Sequence, residues 1–108
     1  MEGGNRVMKV AVFSARSYDR EFFSAANASH HELRFFELHL SKETARLAEG
    51  FDAVCVFVND RVDAAVIAKL NSSGVRLIAL HCAGYNNVDL AAASKHGITV
   101  VRVPGYAL

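Results

Sequence analysis

The sequence predicts an α/β fold: a doubly wound, parallel, five-stranded sheet in the order 2-1-3-4-5. Three observations carry this. Strand-like and helix-like segments alternate five times with no hairpin signal between them, which is the pattern of βαβ repetition. The third strand-like run, Ala53–Val58 (AVCVFV), contains no polar residue. That is expected of a strand buried on both faces in the middle of a parallel sheet. The second, Glu32–Leu38 (ELRFFEL), sets Leu33 and Phe35 in alternation with the polar Glu32 and Arg34. That is expected of a strand with one wet face at an edge. Right-handed crossovers leave few other topologies.

The elements follow in order. Val7–Phe13 (VMKVAVF) reads as the first strand. Ser17 is placed to cap a first helix, with Asp19 and Glu21 in its first turn and Phe22, Phe23 and Ala26 on its buried face. Ser41 is the expected cap of a second helix, with Leu40 stapling onto Ala45 and Gly50 as its stop. Val62, Val66 and Leu70 recur at helical spacing in a third helix that ends at Gly74. Arg76–Leu80 is the fourth strand. Asn87 is the expected cap of a fourth helix closed by Lys95, His96 and Gly97. Ile98–Val103 (ITVVRV) is the fifth strand, read as apolar on both sides and at an edge. The helix that would complete the fold is not expected within the 108 residues.

Bulk composition fits one globular domain. Hydrophobic residues make up 52% of the chain, enough for a core. The 12 basic and 11 acidic side chains leave a net charge of +1. With no basic patch, nucleic acid is not an expected partner. The longest apolar runs are too short to cross a bilayer, and MEGGNRV lacks the apolar core of a signal peptide. Residues 1–7 read as an N-terminal extension, because Met8 opens a cleaner start, MKVAVFS. Cys55 and Cys82 sit in apolar strand contexts and read as reduced thiols of a cytoplasmic protein. The histidines His30, His31, His39, His81 and His96 show no metal-ligand spacing, and no metal site is expected.

In an open parallel sheet, ligands bind beyond the carboxyl ends of the strands. Four predicted turns meet there: Ser14, Ala15 and Arg16; Asn59 and Asp60; the CAGYNN run from Cys82 to Asn87; and Pro104, Gly105 and Tyr106. Ala83 and Gly84 carry little side chain and precede a helix, so their N–H groups suit close approach by an anion. A glycine between strand and helix is more often only a turn residue, and both readings stay open on this motif alone. Three rival doubly wound functions fit poorly. A phosphoacceptor domain wants paired acids after strand one, where this chain has SAR. A flavin mononucleotide site wants a phosphate loop there, for which SARSYD is a poor version. A dinucleotide site wants GxGxxG, which occurs nowhere in the sequence.

Four segments in the same order, MKVAVFSARSYDREFF, FDAVCVFVND, LIALHCAGYNNVDL and GITVVRVPGY, resemble the N-terminal part of the NAD-dependent D-2-hydroxyacid dehydrogenases, above all the bacterial fermentative D-lactate type. The resemblance runs from about Met8 to Tyr106. It implies that residues 8–108 are part of a flavodoxin-like substrate (catalytic) domain, with NAD held by a separate domain of the parent enzyme. It implies substrate contacts from Cys82, Ala83 and Gly84, whose backbone would hold the carboxylate of a 2-oxo or 2-hydroxy acid, and from Tyr106, Phe57 and Arg16. His81 departs from the arginine common in such relatives. The family's proton-carrying histidine, its carboxylate partner and its carbonyl-polarising arginine match no residue here. These 108 residues are therefore expected to bind no cofactor, to carry no catalytic residue and to be inactive alone. They are also expected to self-associate, as a homodimer, through the exposed edge or face. The alternative is a free-standing flavodoxin-like binding module without catalysis.

Overall fold

The computed structural model describes residues 8–14, 32–57, 60–80 and 87–102. Five parallel strands form one sheet: β1 Lys9–Val12, β2 Glu32–Phe35, β3 Ala53–Val56, β4 Leu77–Leu80 and β5 Thr99–Arg102. Their order is β2-β1-β3-β4-β5, as the alternation predicts. The register places Val10 beside Leu33 and Ala53, Val54 beside Ile78, and Ile78 beside Val100. Every strand is shorter than its apolar run, because the flanking residues turn into the connections.

Burial follows the strand positions. All four residues of β3 are buried, whereas β2 alternates between exposed and half-buried. Three of the four residues of β5 are exposed, so this edge strand is wetter than its apolar composition suggests. The pleat divides the core in two. Ala11, Phe13, Val54, Val56, Ile78 and Leu80 join one large cluster. Val12 and Cys55 form a smaller one with Val10, Phe35, Phe57 and Ala79. The large cluster is closed by α1 (Ala64–Ser72) through Val66, Ile67 and Leu70, by α2 (Leu90–Lys95) through Ala93, and by a 3₁₀ turn over Ala45–Ala48. Phe36 stacks on Phe13 with centroids 5.1 Å apart and meets Phe51 edge-on at 6.3 Å. Both arrangements are among those that aromatic pairs prefer.

Both described α-helices end in the same way. Gly74 takes φ +97° and Gly97 takes φ +73°. This is the left-handed region, which glycine enters without steric cost. The amide of Val75 then donates to the Leu70 carbonyl, and that of Ile98 to the Ala93 carbonyl, with Gly74 and Gly97 bonded back to Asn71 and Ser94. These are paired Schellman closures with buried apolar residues on each side. They return the chain to the sheet at once, since β4 starts at Leu77 and β5 at Thr99.

Three expectations need correction. The second helix is only the 3₁₀ turn: the Ser41 side chain does not cap it, and the Ser41 amide instead donates to Thr44 Oγ1 at 2.9 Å. Leu40 and Ala45 do share one buried cluster. Val62 lies before α1 rather than within it, in a parallel bridge with Val88. The cap of α2 is Asp89, whose carboxylate accepts from the Ala92 amide at 3.0 Å; Asn87 does something else. Asp63 caps α1 in the same manner, accepting from Val66. The helix expected from Ser17, with Phe22, Phe23 and Ala26, lies outside the described residues.

Leu70 is fully buried and Leu90 is 45% exposed, which gives a stability prediction. Leu70→Ala should cost about 2–5 kcal/mol and Leu90→Ala well under ~1 kcal/mol, read from urea unfolding midpoints. Equal losses at the two positions would show that the helix–sheet cluster is not the core.

Candidate functional site

The carboxyl ends of β1 and β3 and the chain that follows β2 converge on a single carboxylate. Asp60 is 1% exposed and is the one buried charged residue among those described. Its Oδ1 accepts from the Leu40 amide at 2.7 Å and from Ser14 Oγ at 2.5 Å. Its Oδ2 accepts from the Phe57 amide at 2.7 Å, and its own amide donates to the Phe57 carbonyl at 3.0 Å. Burying a carboxylate is costly unless donors meet it, and here each oxygen has at least one. Ser14 follows β1, Leu40 follows β2 and Phe57 follows β3, so one side chain ties three connections together.

Ser14 is held in an unusual conformation. Its φ is +59°, in the left-handed region. For a residue with a Cβ, that conformation costs on the order of 1–2 kcal/mol. The Ser14 amide donates to the Leu38 carbonyl at 2.9 Å, and the hydroxyl lies 2.6 Å from His39 Nδ1 as well as against Asp60. A serine hydroxyl has one proton to give. That proton goes to Asp60, so the remaining short contact is supplied by a proton on His39 Nδ1. The order is His39 Nδ1–H to Ser14 Oγ–H to Asp60 Oδ1, from an imidazole with 64% of its side chain exposed to a carboxylate with none.

The fourth connection is tied to the third. Asn87 Nδ2 donates to the carbonyls of Phe57 at 3.0 Å and Asp60 at 2.9 Å. Beside it, the Val62 amide donates to the Asn87 carbonyl and the Asp89 amide to the Val62 carbonyl. Residues 81–86 are flanked in the chain by two fixed points, the fully buried Leu80 at the end of β4 and the pinned Asn87. Of the sequence-predicted site residues, Phe57 is described: it is half-buried, packs with Val12 and Cys55, and its backbone is the shared anchor of Asp60 and Asn87. Arg16, Cys82, Ala83, Gly84 and Tyr106 lie outside the described residues, as does His81. Sequence reasoning placed Ser14 and Asp60 at this edge without a role and left His39 unassigned. An aspartate shortly after an apolar strand was the available signal.

The Asp60 carboxylate at the centre of the brace is not free to act as a base, because internal donors occupy both of its oxygens. Its chemistry is that of a frame: it fixes where the strand-end connections start. No cluster of three or more metal-ligating side chains occurs among the described residues, and no described helix is long and apolar enough to cross a membrane.

Comparison with known proteins gives the fold an ancestry. Residues 10–107 match the family described as D-isomer specific 2-hydroxyacid dehydrogenase, catalytic domain. The chain belongs to that family. The dehydrogenase relatives include a 2-hydroxyacid dehydrogenase homolog 1 of Schizosaccharomyces pombe, 54% identical over 101 residues, and the D-lactate dehydrogenase of Escherichia coli, 49% identical over 100 residues. These alignments cover 93% and 92% of this chain. The fold is that of the apo Escherichia coli D-lactate dehydrogenase, with a TM-score of 0.87 at 49% identity over 90% of this chain and 31% of that one. It is also that of the Lactobacillus jensenii D-lactate dehydrogenase solved with NAD+, with a TM-score of 0.79 at 31% identity over 93% of this chain and 31% of that one. The chain spans about 30% of the length of the curated dehydrogenases it matches.

The Asn87 pin generates a prediction. Asn87→Ala leaves the Phe57 and Asp60 carbonyls without that donor. The loss should cost about 1–3 kcal/mol. Hydrogen exchange should rise at the Val62 and Asp89 amides, which hold the bridge, and stay unchanged at the Leu70–Val75 closure. Unchanged exchange at Val62 and Asp89 would mean that the two connections hold together without Asn87.

Proposed function

We propose that residues 8–108 form the substrate-binding part of an NAD-dependent D-2-hydroxyacid dehydrogenase of the D-lactate type, which reduces pyruvate-type 2-oxo acids in the cytoplasm. The observation that carries this reading is the brace at the carboxyl edge, in which Asn87, the residue that follows 81–86, donates to the Phe57 and Asp60 carbonyls in a chain of this family. On this reading the backbone N–H groups of Ala83 and Gly84, flanked by Cys82, receive the substrate carboxylate. Small side chains there allow the close approach that N–H donation to an anion requires. Phe57, Tyr106 and Arg16 border the same cleft, the last adding positive charge for an anionic substrate. The D-lactate dehydrogenases among the relatives support the substrate class.

The nicotinamide cofactor does not fit this chain's own residues. The sequence holds no GxGxxG loop, and no residue matches the family's proton-carrying histidine or its carbonyl-polarising arginine. NAD, which accompanies the Lactobacillus jensenii relative, is therefore assigned to a segment beyond the part of the relatives that this chain matches. The contribution of residues 8–108 is to bind and orient the oxo acid. Self-association as a homodimer belongs to the same proposal. It is supported by the edge position of β5, whose Val101 is 39% exposed. An unpaired edge strand invites pairing with another chain.

The 108-residue chain alone should show no pyruvate-dependent NADH oxidation above a heat-killed control, and light scattering after gel filtration should show a dimer rather than a monomer. A hybrid in which residues 8–108 replace the matching part of the Escherichia coli D-lactate dehydrogenase should reduce pyruvate. An inactive but folded hybrid would favour a binding module without catalysis. In that hybrid, Gly84→Val should lower kcat/KM by roughly a hundredfold, as expected on losing backbone donors to an anion, with little change in Tm. Full retention of kcat/KM would reject the assignment of residues 82–84.

A further inference from the structure

We propose that Asp60 is a positioning residue for oxo-acid binding, acting through Ser14 and His39. The proposal rests on the functional reading above and adds three residues that neither the family match nor the sequence motifs assign. Four observations carry it.

The first is how fully the carboxylate is used. Asp60 is buried and accepts from three donors in three different connections, Ser14 Oγ, the Leu40 amide and the Phe57 amide. A buried ion that only filled space would be replaceable by an apolar residue of similar size. No aliphatic side chain can accept from Ser14, Leu40 and Phe57 at once, so the carboxylate sets the relative positions of three strand ends.

The second is strain. Ser14 sits at φ +59° at the point where the chain leaves β1, and its hydroxyl bond to Asp60 is one of the contacts holding it there. Backbone strain kept in place by surrounding contacts tends to cluster at ligand-binding sites. Glycine would satisfy the same φ without strain, but it has no hydroxyl for Asp60 or His39.

The third is the direction of the hydrogen bonds. The Ser14 proton is given to Asp60, so His39 presents Nδ1–H to Ser14. In the neutral ring the lone pair then lies on Nε2. A mostly exposed imidazole beside the carboxyl edge is thereby fixed in one tautomer by a buried carboxylate two hydrogen bonds away.

The fourth is the reach of the brace. Asn87 donates to the Asp60 carbonyl, so the residue that fixes the exits of β1, β2 and β3 is also bonded to the residue that follows 81–86. On the functional reading the carboxylate donors lie at residues 82–84, so Asp60 is tied to backbone close to them along the chain, and small displacements of a binding geometry have large kinetic consequences.

The test uses Asp60→Asn and Ser14→Gly. Asparagine keeps the shape but presents an N–H₂ where an acceptor is needed, and glycine keeps the Ser14 backbone while removing the relay. In the hybrid enzyme, either change should raise KM for pyruvate roughly ten- to a hundredfold, with kcat changed by less than about threefold. A purely structural role would lower Tm and leave KM in place, and that result overturns the proposal. If Asp60→Asn does not fold, Ser14→Gly, which leaves the carboxylate with its two backbone donors, decides alone.

The second readout does not depend on activity. In the 108-residue chain, ¹⁵N spectra of the neutral His39 ring should show the proton on Nδ1, and Ser14→Gly should return the ring to the Nε2–H form that free imidazole side chains prefer. A proton on Nε2 in the unsubstituted chain overturns the relay. An unsubstituted hybrid that folds but does not reduce pyruvate brings down the functional reading and the substrate role of Asp60 with it. The ring spectrum still decides whether the relay exists.

Discussion

One buried carboxylate organises the end of this sheet that matters. Asp60 accepts from a side chain that follows β1, a backbone amide that follows β2 and a backbone amide that follows β3. Parallel strands cannot be joined by tight hairpins, so each connection must leave the sheet and travel. Where those connections start is not set by the strand ladder, whose hydrogen bonds stop at the last paired residue. A charged acceptor placed among the exits sets it instead, and hydrogen bonds to charged groups are worth more than neutral ones, roughly 1.5–3 kcal/mol each. The cost of burying the charge is the reason such a group is rare, and its satisfied oxygens are the reason it is tolerated.

The two edges of the sheet are built differently. At the amino edge the chain turns from helix to strand within residues 73–76 and 96–98, through two glycine closures that fold the helix ends back on themselves. Gly50 ends the 3₁₀ turn before β3 with the same sign of φ, +87°. Apolar residues follow each α-helix closure, Val75 and Ile98, and both are buried. At the carboxyl edge the chain takes residues 57–63 and 81–89 to pass from strand to helix. Within those longer runs the Asp60 carboxylate accepts from the Phe57 amide, and the Asn87 side chain donates to the Phe57 and Asp60 carbonyls. The fold is thus closed by glycine turns at the amino edge and braced by side chains at the carboxyl edge, the general location of sites in open α/β sheets.

Much of this was legible in the sequence. Strand order followed from one all-apolar run, Ala53–Val58, and one alternating run, Glu32–Leu38. Burial on two faces or one is written directly into composition. The glycines that end the helices were legible for the same reason, since few other residues tolerate the required φ. The cap of α2 was assigned to Asn87, two residues before the observed cap Asp89. Asn87 and Asp89 both suit an N-cap. Propensity does not reveal that the amide of Asn87 is needed elsewhere, to bridge the Phe57 and Asp60 carbonyls. The second helix was overestimated because a cap residue and a stop residue were read without weighing how few residues lie between Ser41 and Gly50. Asp60 itself was seen only as a turn residue. Its three donors come from positions 3 to 46 residues away along the chain, and no local pattern records such a convergence.

The same convergence explains why family membership and site architecture carry different information. The match over residues 10–107 fixes the sheet and its ancestry, and the relatives' names fix a substrate class for those relatives. Neither says how the carboxyl edge is held in this chain. Ser14 and His39 are individually ordinary polar residues in connecting segments, and a histidine with most of its side chain exposed would be passed over. Their significance comes from proton counting. One hydroxyl proton cannot serve two acceptors, so the short contacts on either side of Ser14 Oγ impose a direction on the whole chain of bonds. That direction leads from exposed imidazole to buried carboxylate, and the carboxylate in turn is bonded to the exits of three strands. A constraint of this kind is carried by geometry alone, and it links a surface side chain to the placement of backbone that no motif at either position would have connected.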